Sequence, residues 1–123
     1  MNPTILIVDD EPHMLRITEL SLRKTGCQIF VAHDGREAVE LAAIHLPALI
    51  VMDLMMPGMD GLMALKELRA RPATRAIPII MLTSRGQNIT RTEAEQAGAD
   101  LYLTKPFSPS HLAAEAKRIV GVA

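Results

Sequence analysis

The feature that most constrains this chain is a rhythm. Five short apolar runs recur along it, each too brief for a buried helix, with longer amphipathic stretches between them. The runs are 4–8 (TILIV), 28–32 (QIFVA), 48–52 (ALIVM), 77–82 (IPIIML) and 100–103 (DLYL). Most are rich in Ile and Val and do not alternate with polar residues, as strands covered on both faces read. The intervening stretches carry helical stripes, such as Leu112, Ala116, Ile119 and Val120, or Ala38, Leu41 and Ala42. Punctuation agrees: Gly26 and Gly98 fall just past helix ends, Asp34-Gly35 signals a turn, and Ser108-Pro109 reads as an N-cap followed by proline. A strand and a helix thus repeat five times, from a helix near 12–25 to a last one near 109–120. Strict alternation predicts an α/β fold, a parallel sheet with helices on both faces joined by right-handed crossovers.

Composition narrows the function classes. A chain of 123 residues, 49% hydrophobic and 22% charged, fits one globular domain rather than a disordered segment. The net charge of -1 and an aromatic set limited to Phe30, Tyr102 and Phe107 argue against direct nucleic-acid binding or attachment to an anionic membrane. Cys27 is the single cysteine, so no intrachain disulfide can form. The opening MNPTILIVDDEP has no basic n-region and too short an apolar run to be expected to act as a signal peptide. No apolar run approaches the roughly 18 residues of a membrane helix. The expected setting is the reducing cytoplasm.

Polar residues then fall in a pattern. The first run exits into Asp9-Asp10-Glu11, the third into Asp53, the fourth into Thr83-Ser84 and the fifth into Thr104-Lys105-Pro106. In open α/β sheets, ligands bind outside the carboxyl ends of the strands. Only the second run lacks such a group, as an edge strand would. Asp53 is the most pointed case, because ALIVMDLMMPGMDG sets a lone carboxylate in an apolar stretch, where an unpaired charge is costly. Clustered carboxylates repel unless a cation balances them, and an all-oxygen set without His or Cys suits Mg²⁺. One carboxylate could then act as nucleophile toward a phosphoryl group, aided by a lysine and a hydroxyl. Each residue also has a plainer reading: Asp9-Asp10-Glu11 could cap the first helix, Asp60 could cap the third, and Thr83 and Lys105 could be surface groups. Their coincidence at four strand ends favours a site. His13, His33, His45 and His111 are scattered and form no constellation, and Met52, Met55, Met56 and Met59 are expected to pack locally.

With these residues in place, the chain resembles the receiver domain of two-component response regulators, of the chemotaxis-regulator type. The likeness runs through ILIVDDE, the stretch Asp53-Leu54-Met55-Met56-Pro57-Gly58-Met59-Asp60-Gly61, PIIMLTS and AGADLYLTKPF, covering essentially the whole length. It implies one receiver domain over 1–123, with a five-stranded parallel sheet in order 2-1-3-4-5, doubly wound and flavodoxin-like, and five helices. It makes Asp53 the phosphoacceptor. Asp9 and Asp10 would hold Mg²⁺, with Asp10 the preferred direct ligand and with Asp53 and the Met55 backbone carbonyl completing the set. Thr83 would hydrogen-bond the phosphoryl group, Lys105 would ion-pair with it, and Tyr102 with Thr83 would form the conformational switch. Lys105-Pro106 would be cis. Met55 and Arg85 would tune phosphoryl lifetime.

The implied partners are a sensor histidine kinase or a histidine phosphotransfer protein, and a downstream protein reached by contact. The implied role is signalling, with catalysis limited to the domain's own phosphorylation and slow dephosphorylation. Only three residues follow Val120, so the expectation leans to a receiver acting alone. Three rival readings stand beside this one. An aspartate-nucleophile phosphohydrolase of the haloacid dehalogenase type would need an acid where Met55 stands. A flavin-binding domain would need a hydroxyl- or glycine-rich phosphate loop where Asp9-Asp10-Glu11 stands. A degenerate receiver would lack an Asp53, Thr83 or Lys105.

Overall fold

A computed structural model describes residues 3–54, 56, 58–84 and 91–121. Strands and helices alternate: β1 (Thr4–Val8), α1 (Pro12–Arg23), β2 (Gln28–Ala32), α2 (Gly35–His45), β3 (Leu49–Asp53), α3 (Gly61–Ala70), β4 (Ile79–Ser84), α4 (Arg91–Gln96), β5 (Leu101–Lys105) and α5 (Pro109–Val120). The strands form one sheet in the order β2-β1-β3-β4-β5, and every neighbouring pair is parallel. The expected doubly wound topology is therefore present, with β2, the run lacking a polar exit, at an edge.

Side-chain alternation divides the core into two layers. Leu6, Val8, Ile50, Met52, Ile79 and Met81 face Ala38, Ala42, Leu65 and Leu68 of α2 and α3. Ile5, Ile7, Leu49, Val51, Ile80 and Leu82 face Leu15, Leu22, Leu112 and Ala116 of α1 and α5. This is why the central runs are apolar at successive positions: both faces of each strand are buried.

The helix ends follow the local chemistry. Asp34, Asp60 and Ser108 are N-caps whose side chains accept from Glu37 N, Met63 N and His111 N. Asp34-Gly35, read as a turn, is in fact the cap and first residue of α2. Gly26 and Gly98 adopt positive φ just beyond α1 and α4. The main differences from the sequence reading are strand limits. β3, β4 and β5 extend through Asp53, Ser84 and Lys105, so these polar positions are the last residues of strands rather than the first of loops. β4 starts at Ile79 because Pro78 has no N–H to give the ladder, although its carbonyl accepts from Ile50 N.

Candidate functional site

The register brings the polar strand ends to one place. Val8 pairs with Met52 and Asp53 with Leu82, so Asp9 and Asp53 leave adjacent strands at the same level. Thr83 lies one residue further along β4, and Lys105 is opposite Ser84. Asp9, Asp53 and Lys105 share the alternation of Ile7, Val51 and Leu103, which pack on the α1 and α5 side of the sheet.

Their contacts are close. Lys105 Nζ lies 3.1 Å from Asp53 Oδ1 and donates to Asp9 Oδ2 at 3.5 Å. The approach to Asp53 is an ion pair, and among the described residues Oδ1 is a buried oxygen with no hydrogen-bond partner. Asp9 Oδ1 accepts from Glu11 N at 3.0 Å. Asp9 and Asp53 are only 2% and 5% exposed, whereas Asp10 is open to solvent. Burial accordingly lifts the Asp53 carboxyl above the ordinary aspartate range, against the downward pull of Lys105 and with a further push from Asp10. Burial also lifts Asp9; the Glu11 amide and Lys105 hold it back, and Asp53 pushes it up.

One ammonium facing three carboxylates leaves a surplus of negative charge. Carboxylate oxygens of Asp9, Asp10 and Asp53 lie within 4.8 Å of one another, close enough to converge on one cation. The donor set is all oxygen, and one buried oxygen of Asp53 lacks a hydrogen bond, so the residues fit a hard divalent ion. The cap reading of Asp9-Asp10-Glu11 fares less well. Glu11 is the N-cap of α1, but its side chain makes no cap hydrogen bond. Asp60 is a cap, as its plainer reading held.

Thr83 is 1% exposed at the end of β4, and Tyr102, half-buried on β5, packs against the α2 and α3 core layer. Lys105-Pro106 is cis. Met55 and Arg85 lie outside the described residues. Two glycines acquire a role that their place in the sequence did not reveal. A Cβ on Gly61 would stand 2.3 Å from the carbonyl oxygen of Asp53, so α3 can begin directly on the peptide of that residue. Gly35 makes a similar approach to Met59. The spacing of D-G pairs signals a cap or turn, and close approach from a distant segment leaves no local mark.

Similarity to known proteins agrees with this geometry. Residues 5–117 match the family model of the response regulator receiver domain. The chain is 38% identical over 120 residues to the alkaline phosphatase synthesis transcriptional regulatory protein PhoP of Bacillus subtilis, covering 98% of this chain and 49% of that protein. It is 41% identical to the transcriptional regulatory protein SrrA of Staphylococcus aureus, covering 98% and 48%. The chain thus spans about half the length of these two regulators. Among solved structures, the receiver domain of sensor histidine kinase PA1611 from Pseudomonas aeruginosa PAO1 superposes with a TM-score of 0.88 at 35% identity, covering 98% of this chain and 99% of that one. That receiver holds a magnesium ion in its active-site cleft. The chain belongs to the response regulator receiver domain family. Phosphorylation on an aspartate and magnesium binding are general features of that family.

Proposed function

We propose that Asp53 is the phosphoacceptor of this receiver, that residues 1–123 act as one domain, and that the phosphodonor is a histidine kinase or a histidine phosphotransfer protein. The observation that carries the reading is Asp53 itself: a buried carboxylate at the end of the central strand, held beside Lys105 and Asp9. A carboxylate oxygen of Asp53 attacks phosphorus, the bond to the donor's imidazole nitrogen breaks, and that nitrogen keeps the electron pair. Phosphoryl transfer needs mainly positioning and charge neutralisation. Asp9, Asp10 and Asp53, with the Met55 carbonyl, would hold Mg²⁺, which when bound neutralises phosphoryl oxygens. Lys105 supplies the fixed positive charge, and Thr83 at the end of β4 supplies a hydroxyl for a phosphoryl oxygen. Tyr102 responds to the movement of Thr83, and the new contacts favour one of two conformations.

The output in this reading is contact with a downstream protein, in the cytoplasm, rather than substrate turnover. Hydrolysis of phosphomonoesters is the weaker reading, since position 55 is Met and offers no acid to protonate a leaving group. Incubation with acetyl phosphate and Mg²⁺, followed by intact-mass measurement, tests the proposal. Wild type should gain one phosphoryl group and Asp53→Asn none. An unmodified wild type, or an adduct retained in Asp53→Asn, would overturn it.

A further inference from the structure

Helix α2 begins against the segment that leads into α3 with no room to spare. Gly35, its first residue, is buried. A Cβ there would stand 2.3 Å from the carbonyl oxygen of Met59, 3.1 Å from its carbonyl carbon and 3.0 Å from its Cγ. Two of these are backbone atoms, which cannot swing aside as the tip of a long side chain can. The φ of Gly35 is not positive, so close approach, not backbone conformation, is what demands glycine here. The helix supplies no other reason. Asp34 already caps it, and alanine is a far better helix former than glycine.

What Gly35 touches leads to the acceptor. Met59 precedes Asp60, the N-cap of α3, and Asp60 precedes Gly61. Gly61 sits on the Asp53 carbonyl, where a Cβ would be 2.3 Å from oxygen, and its N–H donates to the Leu54 carbonyl at 2.8 Å. Leu54 N in turn donates to Leu82 O, tying the strand end to β4. Close-packed interiors pass such displacements on instead of absorbing them. Two bare backbones therefore link α2 to the peptide of Asp53.

We propose that Gly35 is a positioning residue for the phosphoacceptor. The unsubstituted first residue of α2 fixes Met59 and, through Asp60 and Gly61, fixes the Asp53 peptide relative to Asp9 and Asp10. The inference rests on Asp53 as acceptor and on its carboxylate cluster as a Mg²⁺ site.

The test compares wild type, Gly35→Ala and Arg36→Gly. Arg36 is the exposed neighbour in the same helical turn, and glycine there weakens α2 without adding an atom against Met59. Mg²⁺ affinity is read from the amide NMR signals of Asp53, Leu54 and Gly61. Phosphorylation by acetyl phosphate is read at subsaturating Mg²⁺. Gly35→Ala should weaken Mg²⁺ binding roughly 10-fold or more, as loss of outer-shell support does. It should slow phosphorylation by up to about 100-fold, the scale of an ångström-sized misplacement. Arg36→Gly should leave both unchanged. Wild-type behaviour of Gly35→Ala, or an equal loss in Arg36→Gly, would overturn the proposal. Should Gly35→Ala fail to fold, the wild-type titration decides: Mg²⁺ should shift the amide signals of Gly35 and Arg36, and stationary signals would overturn it. Failure of wild type to take up a phosphoryl group would overturn the acceptor reading alone, since a difference in Mg²⁺ affinity between wild type and Gly35→Ala would still show that Gly35 fixes the Asp53 peptide relative to Asp9 and Asp10.

Discussion

At the scale of the residue, Asp53 and Asp9 pull in two directions. Both are buried carboxylates lifted above the aspartate value of 3.8, so the native state binds their protons more tightly than the unfolded chain does. Each group's favourable contribution is therefore fully present below pH 3.8 and is lost as pH rises through its higher folded-state value. In chelator-treated protein, Asp53→Asn should raise the thermal midpoint at about pH 7, and that gain should shrink toward about pH 4. Calorimetry at the two pH values checks both the sign and the trend. Lys105→Ala should push the Asp53 carboxyl still higher by removing its nearest cation, which carboxyl ¹³C NMR would read. These side chains were legible in the sequence because each stands where an apolar run ends. The close approaches of Gly35 and Gly61 were not, because only the fold brings Met59 and Asp53 against them.

Among the elements, Arg69 near the end of α3 holds the opposite edge of the sheet together. All five of its N–H donors are engaged. Nε and Nη2 reach Gly98 O, Nη1 reaches Arg75 O and Ile77 O, and Nη2 also reaches Asp100 Oδ2. The same Asp100 oxygen accepts from Ile79 N at the start of β4. One guanidinium thus joins the end of α3 to the segments before β4 and β5. Arg69→Ala should cost about 2–3 kcal/mol in chemical denaturation, because part-buried carbonyls and a carboxylate lose charged partners. Arg69→Lys should recover little of it, since an ammonium cannot reproduce the planar fork. Thr74→Val, which removes the buried hydroxyl bond to Leu68 O, should cost about 1 kcal/mol. Element order, the edge position of β2 and the caps at Asp60 and Ser108 could be read from local pattern. The strand ends could not: Thr104 and Lys105 look like loop residues, yet ladder pairing with Thr83 and Ser84 carries β5 through them. Arg69 left no trace either, because its partners lie up to 31 residues away in sequence.

For the whole molecule, a metal held by the carboxylate cluster, as proposed above, would couple stability to cation concentration. A cation that binds only the folded state stabilises it by mass action, about 2.7 kcal/mol at 100 times its dissociation constant. Saturating Mg²⁺ should thus raise the thermal midpoint of wild type, and Asp9→Asn with Asp10→Asn should abolish the rise. If Asp53 is the acceptor, as proposed, the phosphoryl adduct must lie on that residue. An acyl phosphate on an aspartate is reduced by borohydride to homoserine. After Mg²⁺ and acetyl phosphate treatment, borohydride reduction and peptide mass spectrometry should find homoserine at position 53 and at no other aspartate. Homoserine elsewhere, or none at position 53 in protein that carries the adduct, would rule out Asp53 as the acceptor.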